Sequence, residues 1–368
     1  MVSLALRNLL RERTRLAISV GGIAFAVTLI VLVRGLFVAY QTRVADYFEG
    51  VDTDTWVLQS GTADFFHSFS LLPTDLRDEL ADTPGVANTT PYVARLVALE
   101  IDGTDTVLYL VGYDPADPVT GPRNLASGTA DLAADEIVID KVFATQHGIA
   151  LGDSLTLEGV PLTVAGISTG GDLVMFQYAF ARLDTARAVL DFENIDNAVL
   201  VDLEAGADTD AVRAAIESNP NLQVRTPAQI VQVNQRVIND GFLPVIKVLL
   251  AIGFIVGVAV VGLTIYSSVI ERRREYGVLK ALGARTRHLL TVITVQSLLA
   301  AVLGYTLGVA LAYAARWGSE RWVPQFITEL HRGDLAWVAL ATALMALGAA
   351  TLPLVRVTRI DPAEVFRT

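Results

Sequence analysis

Four long apolar runs interrupt an otherwise mixed pattern along the 368 residues. They cover residues 16–38, 242–270, 288–315 and 335–355. Each is long enough for a membrane-crossing helix, which needs about 20 mostly apolar residues. Lipid cannot hydrogen-bond an open backbone, so these runs predict α-helices. Arg34 interrupts the first run close enough to one end for its head to reach the interface. The second run exceeds the minimum length and is expected to tilt or project from the bilayer, with Pro244 in its first turn, where proline is tolerated. Gly253 and Gly257 in the second run, and Gly304 and Gly308 in the third, share a spacing that lets helix backbones approach closely. That packing fits contacts within one chain or a seam between two.

Between the first two runs the pattern changes. Residues 93–101 and 106–111 are β-branched and apolar, and Asp102-Gly103-Thr104-Asp105 between them suits a hairpin. Residues 136–140 predict a buried strand and 141–147 a helix, with Gly148, Gly152 and Asp153 as turn punctuation. A second hairpin is expected for 154–157 and 162–167 around Glu158-Gly159-Val160-Pro161. Helices are expected over 184–190, with Asp184 as N-cap, and over 210–218, capped near Asp208 or Thr209. Residues 198–203 read as a strand. The predicted fold class is thus an α-helical membrane protein with four transmembrane helices and a large mixed α/β domain between helices 1 and 2.

Charge orients this arrangement. The net charge of −11 hides a division: residues 40–241 carry 31 acidic and 10 basic side chains, and the rest carries 8 acidic and 18 basic. Short loops rich in arginine stay in the cytoplasm. Arg7, Arg11, Arg13 and Arg15 precede the first run, Arg272, Arg273, Arg274, Lys280, Arg285 and Arg287 separate the second and third, and Arg356, Arg359 and Arg367 follow the fourth. With four spans all three groups share one face. Both termini are then cytoplasmic, and the acidic block is extracytoplasmic. The expected organisation is an N-terminal segment (1–15), helix 1 (16–38), an outer domain (39–241), helix 2 (242–270), a cytoplasmic segment (271–287), helix 3 (288–315), a short outer loop (316–334), helix 4 (335–355) and a cytoplasmic tail (356–368). Residues 1–15 read either as an interfacial amphipathic helix or as a plain basic flank. Trp317, Trp322 and Trp337 suit interface anchors. The first run exceeds the apolar core of a cleaved signal peptide and lacks a clean small-residue cleavage site, so it is expected to remain as an anchor.

Several function classes drop out. An acidic block flanked by basic membrane segments does not suit nucleic acid, which needs one connected basic patch. The chain has no cysteine, which excludes disulfides and thiolate metal sites. His67 and His147 lack histidine or carboxylate partners at metal-binding or catalytic spacing. Gly170-Gly171 lacks the context of a dinucleotide fingerprint. A P-loop needs lysine after a glycine-rich turn; the three lysines, Lys141, Lys247 and Lys280, are neither preceded by Gly nor followed by Ser or Thr. No catalytic, cofactor or metal residues are therefore expected, and any energy must come from another subunit. Phe65, Phe66, Phe69, Leu71 and Leu72 form an apolar group in acidic surroundings. It is either a loop tucked into the core or a surface for an apolar substrate or partner.

The most specific stretch is Glu271-Arg272-Arg273-Arg274-Glu275-Tyr276-Gly277-Val278-Leu279-Lys280-Ala281-Leu282-Gly283-Ala284, a charged, helix-prone segment between two spans. Glu271 and Glu275 lie one helical turn apart, as do Tyr276 and Lys280. The segment resembles the E-R-x-x-E-I-G-x-L-K-A-x-G-A signature of FtsX/MacB/LolC-type permeases of ABC transporters, with Tyr276 where Ile is usual. The ending Arg359-Ile360-Asp361-Pro362-Ala363-Glu364-Val365-Phe366-Arg367 and the opening Leu6-Arg7-Asn8-Leu9-Leu10-Arg11 resemble the same family. The order of elements in 39–241 is similar to its periplasmic domain. The resemblance implies a bacterial or archaeal cytoplasmic-membrane permease that binds no cofactor itself, with ATP and Mg on a separate ATPase subunit. It implies ATPase contact through Glu271, Arg274, Glu275, Tyr276, Gly277, Leu279, Lys280, Ala281, Gly283 and Ala284, and a further cytoplasmic contact near Asp361, Pro362 and Glu364. It also implies a second permease subunit, identical or not, and mechanotransmission: ATPase closure moves the coupling segment, and the spans pass that motion to the outer domain. Two other readings are a regulator of an extracytoplasmic cell-wall hydrolase and a membrane-anchored enzyme or receptor. A periplasmic adaptor is a further partner the family suggests.

Overall fold

The computed structural model describes residues 13–65, 68–171, 176–271, 274, 278, 286–322 and 328–358. These fall into two compact units, one up to Val38 and from Phe242 onward, the other Ala39–Gly241.

The first unit is helical. Helix α1 is Arg13–Glu49, α6 Pro227–Glu271, α7 Thr286–Trp322 and α8 Arg332–Thr358. All four carry stretches long and apolar enough to cross a membrane. They share an apolar core that includes Ile23, Val27 and Ile30 of α1, Val261 of α6, Ala301 of α7 and Met345 of α8. Small residues set the spacing. A Cβ on Gly308 would lie 2.7 Å from the Ala24 carbonyl oxygen, and one on Gly304 2.5 Å from Ile23 Cβ. Thr28 Oγ1 donates to the Gly308 carbonyl at 3.0 Å and to that of Ala24 at 2.7 Å. A Cβ on Gly257 would meet the Met345 sulfur at 2.2 Å, whereas one on Gly253 would make ordinary contacts with Leu29 and Ile30. All four glycines thus face neighbouring helices of their own chain. Arg34 does not simply reach for water: its Nε donates to Asp334 Oδ1 at 2.9 Å, and its guanidinium lies over the Phe37 ring.

The second unit is a ten-stranded sheet folded into two lobes that share one strand, β3 (Val86–Ile101). Its first half pairs with β11 (Ala198–Leu203), which continues antiparallel to β1 (Thr55–Gln59) and then β12 (Leu222–Arg225). Its second half pairs with β4 (Thr104–Tyr113), followed by β9 (Gln177–Arg182), β6 (Glu136–Asp140), β8 (Val160–Ser168) and β5 (Leu125–Gly128), with β7 (Ser154–Leu157) also on β8. The switch falls between Tyr92 and Val93. There Asn197, just before β11, substitutes for the ladder: its backbone N–H donates to the Tyr92 carbonyl, and its Oδ1 accepts from Ala94 N–H at 2.7 Å. A short pair, β2 (Leu72–Pro73) with β10 (Ile195–Asp196), completes the strands.

Each lobe has its own core. Helices α2 (Leu76–Ala81) and α5 (Thr209–Glu217) cover the first lobe, burying Leu76, Leu80, Val212 and Ile216 against Val57, Val199 and Val201. Helices α3 (Lys141–His147) and α4 (Leu183–Leu190) cover the second, with Phe143, Ala186 and Leu190 against Leu108, Leu110 and Ile137.

Local chemistry explains most boundaries. Asp140 caps α3 by accepting from Val142 N–H, and Asp208 caps α5 by accepting from the N–H groups of Asp210 and Ala211. Asp184, expected as a cap, is instead inside the first turn of α4, because Arg182 occupies the cap position. Its Oδ1 accepts from Thr185 N–H and from Arg182 Nε. Both hairpins are tighter than expected. Ile101 pairs with Thr104 and Leu157 with Val160, leaving two-residue turns. Asp102 and Gly103 (φ 51° and 76°), like Glu158 and Gly159 (48° and 84°), are left-handed at both positions, matching the strand twist. Pro244 is well inside α6, not in its first turn. The helix begins at Pro227, where Thr226 Oγ1 accepts from Gln229 N–H and Gln229 Oε1 accepts from Thr226 N–H, a reciprocal cap with proline at the first helical position.

Candidate functional site

The charged segment 271–284 begins where α6 ends. Glu271, its last residue, forms an ion pair with Arg15 near the start of α1. Arg274 and Val278 are exposed. Glu275, Tyr276, Gly277, Leu279, Lys280, Ala281, Gly283 and Ala284 lie outside the described residues, as do Asp361, Pro362 and Glu364 and most of the opening segment. Trp317 and Trp337 are largely exposed.

Helix lengths carry the clearest functional geometry. At about 1.5 Å per residue, α1 is about 55 Å long and α6 about 68 Å. A bilayer's hydrocarbon core is about 30 Å thick. Both helices therefore outrun the membrane and continue unbroken into residues of the second unit. The apolar pattern fades there, which is why the sequence suggests shorter helices. The two extensions touch through amides: Gln41 Nε2 donates to Asn239 Oδ1 at 2.7 Å, and Gln235 Nε2 to the Gln41 carbonyl at 3.2 Å.

The extension of α1 ends in Tyr47 and Phe48, both buried in aromatic side chains. Tyr47 stacks on Tyr178 of β9, with centroids 4.4 Å apart, and its hydroxyl donates to the Thr120 carbonyl. Phe48 packs edge-on to Trp56 of β1 at 5.9 Å and stacks on Phe65 at 5.3 Å. Arg123 Nη2 donates to the Tyr47 carbonyl, satisfying one of the acceptors left at the helix end. Phe65 also touches Trp56 and Tyr92, its N–H donates to Asn234 Oδ1 of α6 at 3.1 Å, and its carbonyl accepts from the Tyr109 hydroxyl of β4 at 3.4 Å. Burial pushes the phenols of Tyr92 and Tyr178 well above their ordinary range, so these rings stay neutral.

The aromatic group seen in the sequence therefore divides. Phe65 is half-buried and Leu72 buried, whereas Phe69 is 67% exposed and Leu71 also faces solvent. Phe66 and His67 lie outside the described residues. A cleft of about 390 Å³ runs beside Phe69, bounded by Phe65, Ser70, Arg95, Tyr109 and Glu158. His147 packs on Phe143, and burial pulls its pKa below the usual histidine value, keeping it neutral near pH 7. Among the described residues no cluster of three His, Cys, Asp or Glu side chains is placed to hold a metal ion. The sequence reading missed Tyr47, Phe48 and Asn234. The one available signal was Thr226-Pro227-Ala228-Gln229, which announces a helix well before the second apolar run.

Two family models agree with this architecture. Residues 16–219 match the model of the MacB-like periplasmic core domain, and residues 247–362 that of the FtsX-like permease C-terminal region. An uncharacterized ABC transporter permease of Mycobacterium tuberculosis is 26% identical over 100% of this chain and 99% of its own length. The macrolide export ATP-binding/permease protein MacB of Burkholderia cenocepacia is 22% identical over 97% of this chain and 56% of its own length. The periplasmic region of MacB from Actinobacillus actinomycetemcomitans superposes with a TM-score of 0.38 at 15% identity, covering 51% of this chain and 95% of that one. With four membrane-length helices and residues that match both family models, the chain belongs to the MacB/FtsX family of ABC transporter permeases.

Proposed function

We propose that this permease converts ATP hydrolysis by a separate ATPase subunit into movement of its outer unit, in a complex containing two permease subunits. The observation that carries this reading is the unbroken course of α1 and α6 from the membrane stretches into the outer unit. Both run as continuous helices, α6 with Pro244 inside it, so displacement at one end is passed to the other. The charged segment after Glu271 supplies the cytoplasmic handle, with Glu275, Tyr276, Gly277 and Lys280 as its working residues. The chain contains no lysine in P-loop context, so the ATP and Mg would belong to the partner. Substrate would be engaged on the outer side or from the outer leaflet, and need not pass between the spans. The cytoplasmic membrane of a bacterium or archaeon, with both termini inside, is the location this scheme requires.

Glu275→Arg and Gly277→Trp test the handle. Copurification with an ABC ATPase subunit coexpressed with this permease, ATPase rate and outer-unit movement would be measured in parallel. The expected result is loss of ATP-driven movement, with weakened ATPase binding or hydrolysis that no longer drives it. Unchanged association together with unchanged movement in both variants would overturn the assignment.

A further inference from the structure

We infer that Phe65 is the junction at which α1 and α6 act jointly on the two outer lobes, and that Asn234 is the positioning residue that engages α6 with it. The inference rests on the proposed relay of motion and names the residues that would perform it. Four observations converge on Phe65. Its ring stacks on Phe48, in the extension of α1, at 5.3 Å. Its backbone N–H donates to Asn234 Oδ1, in the extension of α6. Its ring lies edge-on to Trp56 of the first lobe at 5.4 Å and to Tyr92, where β3 changes lobes, at 5.3 Å. Its carbonyl accepts from Tyr109 in the second lobe.

Asn234 is suited to this task. It is fully buried, and its Nδ2 donates to the Ile230 carbonyl one turn earlier at 2.9 Å. That second bond fixes the amide orientation, so Oδ1 faces the Phe65 N–H and not the helix. A buried amide costs stability unless both ends are satisfied, and here both are. An apolar residue would fill the same space but would leave the Phe65 N–H without its acceptor. On the other helix, the adjacent aromatics divide their contacts: Tyr47 packs against Tyr178 and Phe180 of the second lobe, and Phe48 against Trp56 of the first. The Gln41–Asn239 bond ties the extensions together nearby. Sliding or rotating one helix against the other must therefore move the Phe65 ring or break its N–H bond.

The lack of native cysteine permits a clean distance measurement. Gln146→Cys in the second lobe and Ala215→Cys in the first are exposed labelling positions. The permease with its copurified ATPase, in lipid nanodiscs, would be spin-labelled and measured with and without ATP trapped by vanadate. Asn234→Leu is expected to lose the nucleotide-dependent distance change while keeping ATPase association and the nucleotide-free distance. Asn234→Asp, which keeps an acceptor for Phe65 N–H but loses the donor to the Ile230 carbonyl, is expected to retain only part of it. Phe48→Leu, which keeps an apolar contact without ring stacking, is expected to reduce it. A full distance change in both Asn234→Leu and Phe48→Leu overturns the inference and leaves the general relay standing. No distance change in the parent protein with ATPase bound overturns the relay itself, and the inference with it. If Asn234→Leu fails to assemble, Phe48→Leu decides: a full change in Phe48→Leu counts against the junction, and a reduced one supports it.

Discussion

Asp196 lies wholly buried between two guanidinium groups, with Arg77 Nε 3.2 Å from Oδ2 and Arg187 Nη2 bonded to Oδ1. Burial pushes its carboxyl above the ordinary range, and Arg187 and Arg77 only partly offset this. The folded state therefore holds the proton more tightly than the unfolded chain. The stability this group contributes falls as pH rises from the ordinary carboxylate value through the raised one. Above that range the buried charge depends on its arginines. Arg187→Ala should then destabilise the outer unit by about 3–5 kcal/mol at neutral pH, and by less in acid, where Asp196 is neutral. Thermal melts at the two pH values check this. An equal loss at both would assign Arg187 instead to its bonds with the carbonyls of Phe192, Glu193 and Ile195. Single residues were unevenly legible. Asp208 and Asp184 look alike as caps, yet only Asp208 acts as one. Arg182 Nε binds Asp184 Oδ1, and the chain enters α4 one residue earlier. Such choices depend on side chains brought in by the fold.

At the scale of elements, packing of α7 on α1 depends on missing side chains. A Cβ on Gly308 would press on the Ala24 carbonyl, which cannot yield without moving the α1 backbone. Gly308→Ala should cost about 1–3 kcal/mol as overpacking, read as a lower melting temperature in detergent. Gly253→Ala should be neutral or slightly stabilising, because its Cβ would find Leu29 and Ile30 at ordinary distance and alanine favours helix. Equal effects in both would refute the distinction. The G-x-x-x-G spacing was visible in the sequence, but which glycine touches backbone was not. Existence of the helices was readable from hydropathy, whereas their lengths were not. Once a helix leaves lipid it is held by amide pairs such as Gln41–Asn239 and by aromatic ends such as Tyr47, and neither has apolar periodicity. The hairpins at 102–103 and 158–159 were located correctly but drawn too wide, since strand pairing extends to the minimum loop that Asp-Gly and Glu-Gly permit.

For the whole molecule, orientation is the property on which function turns. Thr104→Cys, at an exposed hairpin, should react with a membrane-impermeant maleimide in intact cells. Arg274→Cys should react only after permeabilisation. The reverse pattern would place the handle outside and remove any route to an ATP-driven partner. The broad division into an acidic block and basic membrane segments was legible because hydrocarbon and charge act on composition alone. How the outer block is divided was not, because a lobe boundary inside one strand leaves no mark in composition. That boundary has its own mechanical meaning. β3 runs through both lobes as a single sixteen-residue ribbon, and Asn197 pins its midpoint. A pleated ribbon resists extension far more than torsion, so the lobes cannot slide apart along it. Any relative motion of the lobes that keeps β3 paired is then a turn about it, like two pages on one spine, with least travel at Tyr92 and most at the end strands, β5 and β12.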